Sequence, residues 1–266
     1  MGDLLRPGER DDDRYDRTRL IRWVDLERVQ RARALVVGAG ALGNEAVKDL
    51  VLFGFRHVDV LDMDTVVRSN LSRCVLFREG DQRSGRGKAE LVAERAMELD
   101  PAAEVRGLHG RVQALGPDGL RAYDIVLGCL DNIAARLHLN ANSYYASVPY
   151  VDGGTEGFRG RVQVVVPPMS PCLQCGMNRS HLKVMERRFS CTGQEAVYYR
   201  PNLPAEITTT SAIAAIQVRE AVKVLSRRAP IEHVMHYDGL AGTCEVLSLE
   251  VDPGCPNHGA GRLSQS

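Results

Sequence analysis

Three glycines, Gly38, Gly40 and Gly43, stand in the pattern G-x-G-x-x-G between an apolar segment and a predicted helix. This spacing permits a tight turn, lets a phosphate approach backbone N–H groups, and places the positive end of a helix dipole behind it. Asp62 follows Gly38 by 24 residues, at the end of a second apolar segment, where a carboxylate can hold a ribose hydroxyl. The pattern predicts a nucleotide site, for which NAD is the default ligand.

The residues that follow the second apolar segment favour a triphosphate over NAD. Between positions 62 and 73 the chain has two carboxylates, an amide and two guanidiniums, and a lysine begins the next predicted helix; they are Asp62, Asp64, Arg68, Asn70, Arg73 and Lys88. A triphosphate carries more negative charge than the diphosphate of NAD, and arginine and lysine are the side chains that bind it. The segment therefore favours a nucleoside triphosphate.

Two short motifs near the C-terminal half predict a metal site. Cys172 and Cys175 form a C-x-x-C pair, and Cys255 and His258 form a C-x-x-H pair. Four such ligands suit tetrahedral Zn²⁺ with no open position, which is typical of a structural site. A redox C-x-x-C is expected at a helix start after a strand, whereas Gly176 follows this one.

Cys191 differs from the other cysteines because it lies in a polar segment, FSCTGQ, with Lys183, Arg187 and Arg188 nearby. Positive neighbours lower the pKa of a thiol and favour the nucleophilic thiolate. We predict that Cys191 is a nucleophile; the alternative is a free surface thiol. Of the remaining cysteines, Cys129 and Cys244 are predicted to be buried, and Cys74, next to Arg73, receives no role.

Alternating strands and helices must position these residues. Strands are predicted at 34–37, 57–64, near VRGLHG and YDIVLGC, and at PYVDGG, and helices at about 42–52, 87–99 and 132–147. This alternation predicts a Rossmann-like parallel sheet with helices on both faces. A strand at 159–168, an apolar helix at 208–228 and a hairpin turning at 239–242 predict a mixed C-terminal extension of the sheet.

Composition limits the partners and the compartment. Lysine plus arginine equal aspartate plus glutamate at 34 each, so no basic field indicates nucleic acid. The sequence lacks an apolar run of the roughly 20 residues that span a membrane, and its charged beginning does not resemble a signal peptide. Seven cysteines without such a signal indicate a reducing compartment, and we expect a cytoplasmic protein. Alanine- and arginine-rich usage is typical of a GC-rich bacterial genome.

Several motifs occur together in an order that is typical of one superfamily. They are RYDRTRLIR, GAGALG, LDMDTVVRSNLSR, GKAELVAER, CLDN, PCLQCG, the CT of FSCTGQ, and DPGCPNHG, and they extend from Arg14 to His258. In these motifs the chain resembles the ubiquitin-activating enzyme superfamily, close to the bacterial ThiF/MoeB/HesA-type adenylyltransferases. The resemblance covers nearly the whole chain and implies a single adenylation domain over 1–266, with an N-terminal arm (1–30), a nucleotide-binding half (31–152) and a carrier-binding, zinc-containing half (153–266).

The resemblance implies that the chain uses ATP and Mg²⁺ to adenylylate the C-terminal glycine of a small ubiquitin-like protein. Asp131 of CLDN would help to place Mg²⁺, and Arg17 of RYDR would reach the ATP of a partner subunit in a homodimer. The implied ATP site comprises Gly38, Gly40, Gly43, Asp62, Asp64, Asn70, Arg73, Lys88 and Asp131, and the implied catalytic residues are Cys191, Arg17, Arg73, Lys88 and Asp131. His258 stands where relatives usually have a fourth cysteine.

The Cys-Thr dipeptide at Cys191 resembles the one that carries the thioester in ubiquitin-activating enzymes, which favours protein conjugation through a downstream enzyme. Adenylation of a sulfur-carrier protein for thiamine or molybdopterin synthesis is the alternative. A third possibility is adenylation of a peptide or small molecule, or ATP-driven dehydration of a tRNA base; the zero net charge weakens the tRNA alternative. An inactive heterodimer partner is disfavoured because every expected ATP-site position is filled.

Overall fold

An eight-stranded sheet organises the chain in the computed structural model, which describes residues 13–176 and 204–258. The strands are β1 (Arg33–Val37), β2 (His57–Asp62), β3 (Glu104–His109), β4 (Ile125–Gly128), β5 (Tyr150–Glu156), β6 (Arg159–Val165), β7 (Val234–Asp238) and β8 (Thr243–Leu247). The helices in these ranges are α1 (Asp16–Arg19), α2 (Leu26–Arg31), α3 (Ala41–Phe53), α4 (Lys88–Leu99), α5 (Pro117–Leu120), α6 (Ile133–Ala146) and α7 (Ile207–Leu225).

The sheet order is β3-β2-β1-β4-β5-β6-β7-β8. The first five strands in this order pair in parallel, and β5 to β8 pair antiparallel. The prediction of a Rossmann-like parallel sheet with a mixed extension is therefore confirmed. After β1 the chain adds β2 and β3 on one side of this strand and then crosses over to add β4 on its other side. A crevice therefore opens between the carboxyl ends of β1 and β4, and such sheets bind ligands in this crevice.

Strand β1 shows why the sheet needs helices on both faces. Ala34 and Val36 belong to one hydrophobic core and Leu35 and Val37 to a second core on the other face. Consecutive side chains of a strand point to opposite faces, so an uninterrupted apolar run fits a strand that is covered twice. The first core is closed by α3, α4 and α7, and the second by α6.

The helix ends follow from local chemistry. Helix α3 ends at Phe53 because Gly54 adopts φ +118°, a left-handed conformation that suits glycine. Helix α4 ends at Leu99, before Asp100 and Pro101, as predicted. Helix α7 begins after Glu206, whose carboxylate accepts hydrogen bonds from the backbone N–H groups of Thr208 and Thr209 at 2.6 and 2.5 Å.

The hairpin of β7 and β8 is confirmed, but one prediction within it is wrong. Every residue of β8 is exposed, including Cys244, which we expected to be buried. Strand β8 is the last strand of the sheet, so its apolar alternation does not reflect a covered face. In the described ranges, no helix has the length and apolar character that crossing a membrane requires.

Candidate active site and candidate metal centre

The glycine loop lies at the carboxyl end of β1, at the crevice between β1 and β4. The N–H of Gly38 donates to the carbonyl of Leu61 at 2.8 Å, which ties the loop to β2. Gly38 has φ +101°, and a Cβ there would lie 2.4 Å from the carbonyl oxygen of Cys129, just after β4. This position therefore requires glycine both for its conformation and for the close approach of two strand ends.

The other two glycines have different reasons for lacking a side chain. A Cβ on Gly43 would lie 1.8 Å from the carbonyl oxygen of Gly38, so Gly43 serves packing within the loop. A Cβ on Gly40 would meet nothing within 4 Å, and its φ of −75° is open to any residue. Since the fold itself does not demand glycine at Gly40, the open space in front of it fits a phosphate that approaches the backbone.

Asp62 ends β2 and faces the glycine loop. One carboxylate oxygen accepts a hydrogen bond from the N–H of Ala39 at 2.6 Å, and the other accepts from the N–H of Asp64 at 2.7 Å. The residue is half-buried. Each carboxylate oxygen retains capacity for a further donor, so the side chain can still accept from a ribose hydroxyl.

A buried cation lies beside Asp62. The Nζ of Lys88, at the start of α4, is 3.1 Å from a carboxylate oxygen of Asp64, and the Lys88 side chain is only 11% exposed. The backbone N–H of Lys88 also donates to the carbonyl of Asp64 at 2.8 Å. This pairing holds the ammonium group at the edge of the sheet where the glycine loop lies.

Arg73 and Lys88 both act on the thiol of Cys74. Burial raises the pKa of Cys74 to about 11, while the positive charges of Arg73 and Lys88 act in the opposite direction. The two cations predicted to face phosphates are therefore neighbours of one buried side chain. Cys74 stays protonated at neutral pH and serves packing.

Asn70 and Arg73 also support the backbone of their own segment. The side-chain oxygen of buried Asn70 accepts from the N–H of Val67 at 3.0 Å and stabilises the short 3₁₀ turn Arg68–Asn70. The guanidinium of Arg73 donates to the carbonyl of Ser69. These bonds hold the crossing segment after β2 in one conformation over the edge of the sheet.

Asp131 lies at the same edge. Strand β4 ends at Gly128, the N–H of Cys129 donates to the carbonyl of Val37 at 2.8 Å, and Asp131 follows with an exposed side chain. Asn132 caps α6 by accepting from the N–H of Ala135 at 2.8 Å. The carboxylate of Asp131 thus stands between the end of β4 and the start of α6.

Arg17 lies away from this edge. Its arm is anchored by Tyr15, whose hydroxyl donates to Asp100 at 2.7 Å and whose ring would lie 3.1 Å from a Cβ on Gly54. Gly54 follows the C-terminal end of α3, and a helix of 13 residues is about 20 Å long. Arg17, with a side chain that is 67% exposed, is therefore at the opposite end of α3 from its own glycine loop.

Sequence reasoning missed Asn44, which organises the loop. Its side-chain N–H donates to the carbonyls of Ala39 and Gly40 at 2.9 and 3.0 Å, and its oxygen accepts from the N–H of Leu76 at 3.0 Å. The available signal was an amide among the apolar positions at the start of α3. Asn44 is fully buried and joins the glycine loop to the segment that contains Arg73.

Gln217 was also missed. It lies on α7, is fully buried, and donates to the carbonyls of Gly128 and Val151 at 3.0 Å each. These carbonyls belong to neighbouring strands, β4 and β5. The side chain thereby holds β5 against the end of β4, the strand that Asp131 follows.

The four predicted metal ligands come together, although 83 residues separate Cys172 from Cys255. Their ligand atoms all lie within 4.8 Å of one another; the Sγ of Cys172 is 3.9 Å from that of Cys175 and 3.6 Å from that of Cys255. Ligands about 2.3 Å from a tetrahedral Zn²⁺ are roughly 3.8 Å apart, so the spacing fits this ion.

The surroundings of the cluster also fit a metal. The Nε2 of His258 is buried without a hydrogen-bond partner. A buried nitrogen in this state costs free energy unless it binds another group, such as a metal ion. Asn257 donates to the Sγ of Cys172 at 3.3 Å. Burial opposes ionisation of Cys172, but hydrogen bonds, first from Asn257 and Asn140, hold the pKa of this thiol below its ordinary value. Burial raises the pKa of Cys175 and raises the pKa of Cys255 to about 12, so Cys172 is the thiol whose surroundings favour ionisation. A thiolate is the form that binds Zn²⁺.

Cys191, with Lys183, Arg187 and Arg188, lies outside the described residues. The structure therefore does not test the prediction of a nucleophile, which stays a prediction.

The glycine loop at the crevice, the acidic and basic residues at the same sheet edge, and the cysteine–histidine cluster together define an α/β protein with a candidate nucleotide site and a candidate metal centre. The sequence profile of the ThiF family matches residues 15–257, and the chain belongs to this family, within the ubiquitin-activating enzyme superfamily.

Named relatives occur among eukaryotic activating enzymes. The chain is 37% identical over 152 residues to SUMO-activating enzyme subunit 2 of Dictyostelium discoideum, a match that covers 56% of this chain and 23% of that protein. It is 35% identical over 167 residues to the NEDD8-activating enzyme E1 catalytic subunit of Caenorhabditis elegans, covering 58% and 38%. The matches thus span less than two-fifths of these relatives.

The fold is similar to that of solved structures of Escherichia coli MccB. The complex with AMPCPP and the peptide MccA superposes with a TM-score of 0.75 at 19% identity, covering 95% of this chain and 76% of that chain. The complex with ATP gives 0.72 at 18% identity, covering 94% and 76%. At this identity the likeness shows the fold.

Proposed function

We propose that this protein adenylylates the C-terminal carboxylate of a ubiquitin-like or sulfur-carrier protein with ATP. The observation that carries the proposal is the open space in front of Gly40, at the sheet edge that also holds Asp62, Lys88 and Asp131. Membership of the ThiF family and the names of the SUMO- and NEDD8-activating relatives support the same activity.

In this reaction a carboxylate oxygen of the carrier attacks the α-phosphorus of ATP, the bond from the α-phosphorus to the α,β-bridging oxygen breaks, and pyrophosphate leaves as acyl-AMP forms. Backbone N–H groups of the glycine loop and the carboxylate of Asp62 would hold the nucleotide. Arg73 and Lys88 would stabilise the charge that develops on the departing pyrophosphate. Asn70 would support Arg73 by holding the segment after β2 in place.

Mg²⁺ would be held by Asp131, because carboxylate oxygens are the ligands it prefers. When bound, the ion neutralises phosphate charge and orients the phosphate groups. Asp64 pairs with Lys88, so its carboxylate would hold the ammonium group of Lys88 in position.

A homodimer is part of the proposal. Because Arg17 lies at the far end of α3 from its own loop, it would serve the nucleotide of a second copy. The exposed guanidinium and the anchored arm support this role, since Tyr15 and Asp100 hold the backbone beside it.

The second step concerns Cys191. We propose that its thiolate attacks the acyl carbon of the adenylate, so that a thioester forms and AMP leaves, before transfer to a downstream conjugating enzyme. The Cys-Thr dipeptide supports this step. Without it, the adenylated carrier would itself be the product, as a sulfur-carrier pathway requires.

The cysteine–histidine cluster is proposed as a structural Zn²⁺ site formed by Cys172, Cys175, Cys255 and His258. It would fasten the end of the chain to the segment after β6. The single-domain organisation over 1–266, with the arm and two halves given above, and a cytoplasmic location remain predictions.

The test is incubation of the full chain with ATP, Mg²⁺ and small β-grasp proteins that end in two glycines. Isotope exchange between pyrophosphate and ATP, dependent on the carrier, is expected; its absence with every carrier would contradict adenylylation. Intact mass spectrometry then separates the second step. A reductant-sensitive adduct that is lost in Cys191→Ala supports the thioester, and carrier adenylate alone supports the sulfur-carrier alternative.

A further inference from the structure

Tyr144, in the last turn of α6, contacts the ring of His258 at its Nδ1 edge. Its hydroxyl oxygen is 2.9 Å from the Nδ1 of His258 and also 2.9 Å from the carbonyl oxygen of Pro168. The rings are 4.6 Å apart at their centroids and tilted by 55°. Neither the tyrosine nor its contact with the histidine was indicated by the sequence motifs.

The two contacts decide which nitrogen of His258 carries the proton. The carbonyl of Pro168 can only accept, so the single hydroxyl proton of Tyr144 is donated to it. The hydroxyl oxygen must then accept from an N–H at Nδ1 of His258. With the proton on Nδ1, a neutral imidazole has its lone pair on Nε2.

Nε2 is the ring nitrogen that needs a partner, because it is buried without one. A histidine that binds a metal through one nitrogen commonly donates its other N–H to an oxygen, which fixes the tautomer and the ring orientation. A cysteine at the same position would not need such a contact, because a thiolate has no tautomers.

We propose that Tyr144 is a positioning residue for His258: its hydroxyl fixes the Nδ1–H tautomer and aims Nε2 at the metal, which lets a histidine serve as fourth ligand in a cluster of three thiolates. This inference rests on the zinc site proposed above. The residue lies on α6, outside the C-x-x-C and C-x-x-H motifs, and would support metal binding from there.

The experiment measures Zn²⁺ affinity of the full chain by competition with a chromophoric chelator, for Tyr144→Phe in two backgrounds. In the natural background we expect the affinity to fall by about 10- to 100-fold. In the His258→Cys background, Tyr144→Phe should leave the affinity essentially unchanged, because the fourth thiolate makes no use of the hydroxyl.

Tyr123→Phe is the matched control. It removes a half-buried hydroxyl that donates to Asp59 at 2.7 Å, and it is expected not to change zinc affinity. Co²⁺ spectra provide a second readout, since the ligand-field bands distinguish three thiolates with an imidazole from four thiolates. Circular dichroism of each variant checks that the fold is retained.

The outcomes are distinct. Unchanged affinity in Tyr144→Phe overturns the role of Tyr144, and so does an equal loss in both backgrounds, which would assign the effect to the Pro168 contact. If the natural chain binds no metal, the zinc site and this inference both fail, while pyrophosphate exchange still reports independently on adenylylation.

Discussion

Arg136 and Asp152 form a buried ion pair that joins the start of α6 to β5. The Nε of Arg136 is 2.9 Å from one carboxylate oxygen, a second guanidinium nitrogen contacts the other, and the Asp152 side chain is fully buried. The hydroxyl of Tyr150 donates to the same carboxylate at 2.7 Å. Burial opposes the charge, but the Arg136 guanidinium holds the pKa of Asp152 below its ordinary value. Asp131 lies just before this clamped helix.

Removing one partner of this pair should be costly. Arg136→Ala leaves the buried Asp152 carboxylate with the weaker contact of Arg161, at 3.3 Å, as its remaining counter-charge, and we expect the free energy of unfolding to fall by about 3 kcal/mol. Urea unfolding measures the change. Arg121→Ala is the control, because it removes an exposed ion pair with Asp118 and should cost at most about 1 kcal/mol. Equal losses for the two variants would contradict the role given to the buried pair.

Gly40 and Gly43 should respond oppositely to alanine. Gly43→Ala places a methyl 1.8 Å from a backbone oxygen, so the melting temperature should fall sharply. Gly40→Ala meets open space at an ordinary φ, so the fold should be retained while ATP affinity falls. Thermal unfolding and calorimetric titration with ATP measure the two effects. Retained ATP affinity in Gly40→Ala would show that the phosphates lie elsewhere.

Lys88 should matter for chemistry more than for stability. Lys88→Ala removes the ammonium group beside Asp64, and we expect carrier-dependent pyrophosphate exchange to fall by about 10²- to 10³-fold, as for loss of one transition-state donor. Arg31→Ala, which removes an exposed cation of α2, should leave exchange unchanged. Exchange within a few-fold of the natural rate in Lys88→Ala would remove this residue from the site.

Glu206 should make stability depend on acid. Burial raises its pKa, but hydrogen bonds from Thr208 and Thr209 outweigh this effect and lower the pKa of Glu206 from 4.5 to about 2. Its contribution is therefore complete above pH 4.5 and is lost as the pH falls towards 2. Glu206→Gln should flatten the pH dependence of the unfolding free energy in this window. Identical pH profiles for Glu206→Gln and the natural chain would contradict the role of the Glu206 carboxylate as the cap of α7.

Elements with a local signal were predictable. The glycine loop, the ends of α3 and α4 and the metal ligand pairs were read from spacings of two to five residues. Backbone conformation and helix periodicity depend on neighbours along the chain, so these features hold wherever the segment folds. The prediction that Cys244 is buried was wrong, because the apolar alternation of β8 does not indicate whether a second layer covers the strand.

The sequence by itself determined the parallel sheet, the glycine loop that follows its first strand and four candidate metal ligands in two pairs. Only the tertiary structure decided which side chains, distant in the sequence, hold these features in place. Arg136 meets Asp152 across 16 residues, Asn44 meets Leu76 across 32, and Tyr144 meets His258 across 114. A single polar residue carries no periodic signal, and its partner is chosen by which strands and helices pack together, so these contacts exist only once the sheet has formed.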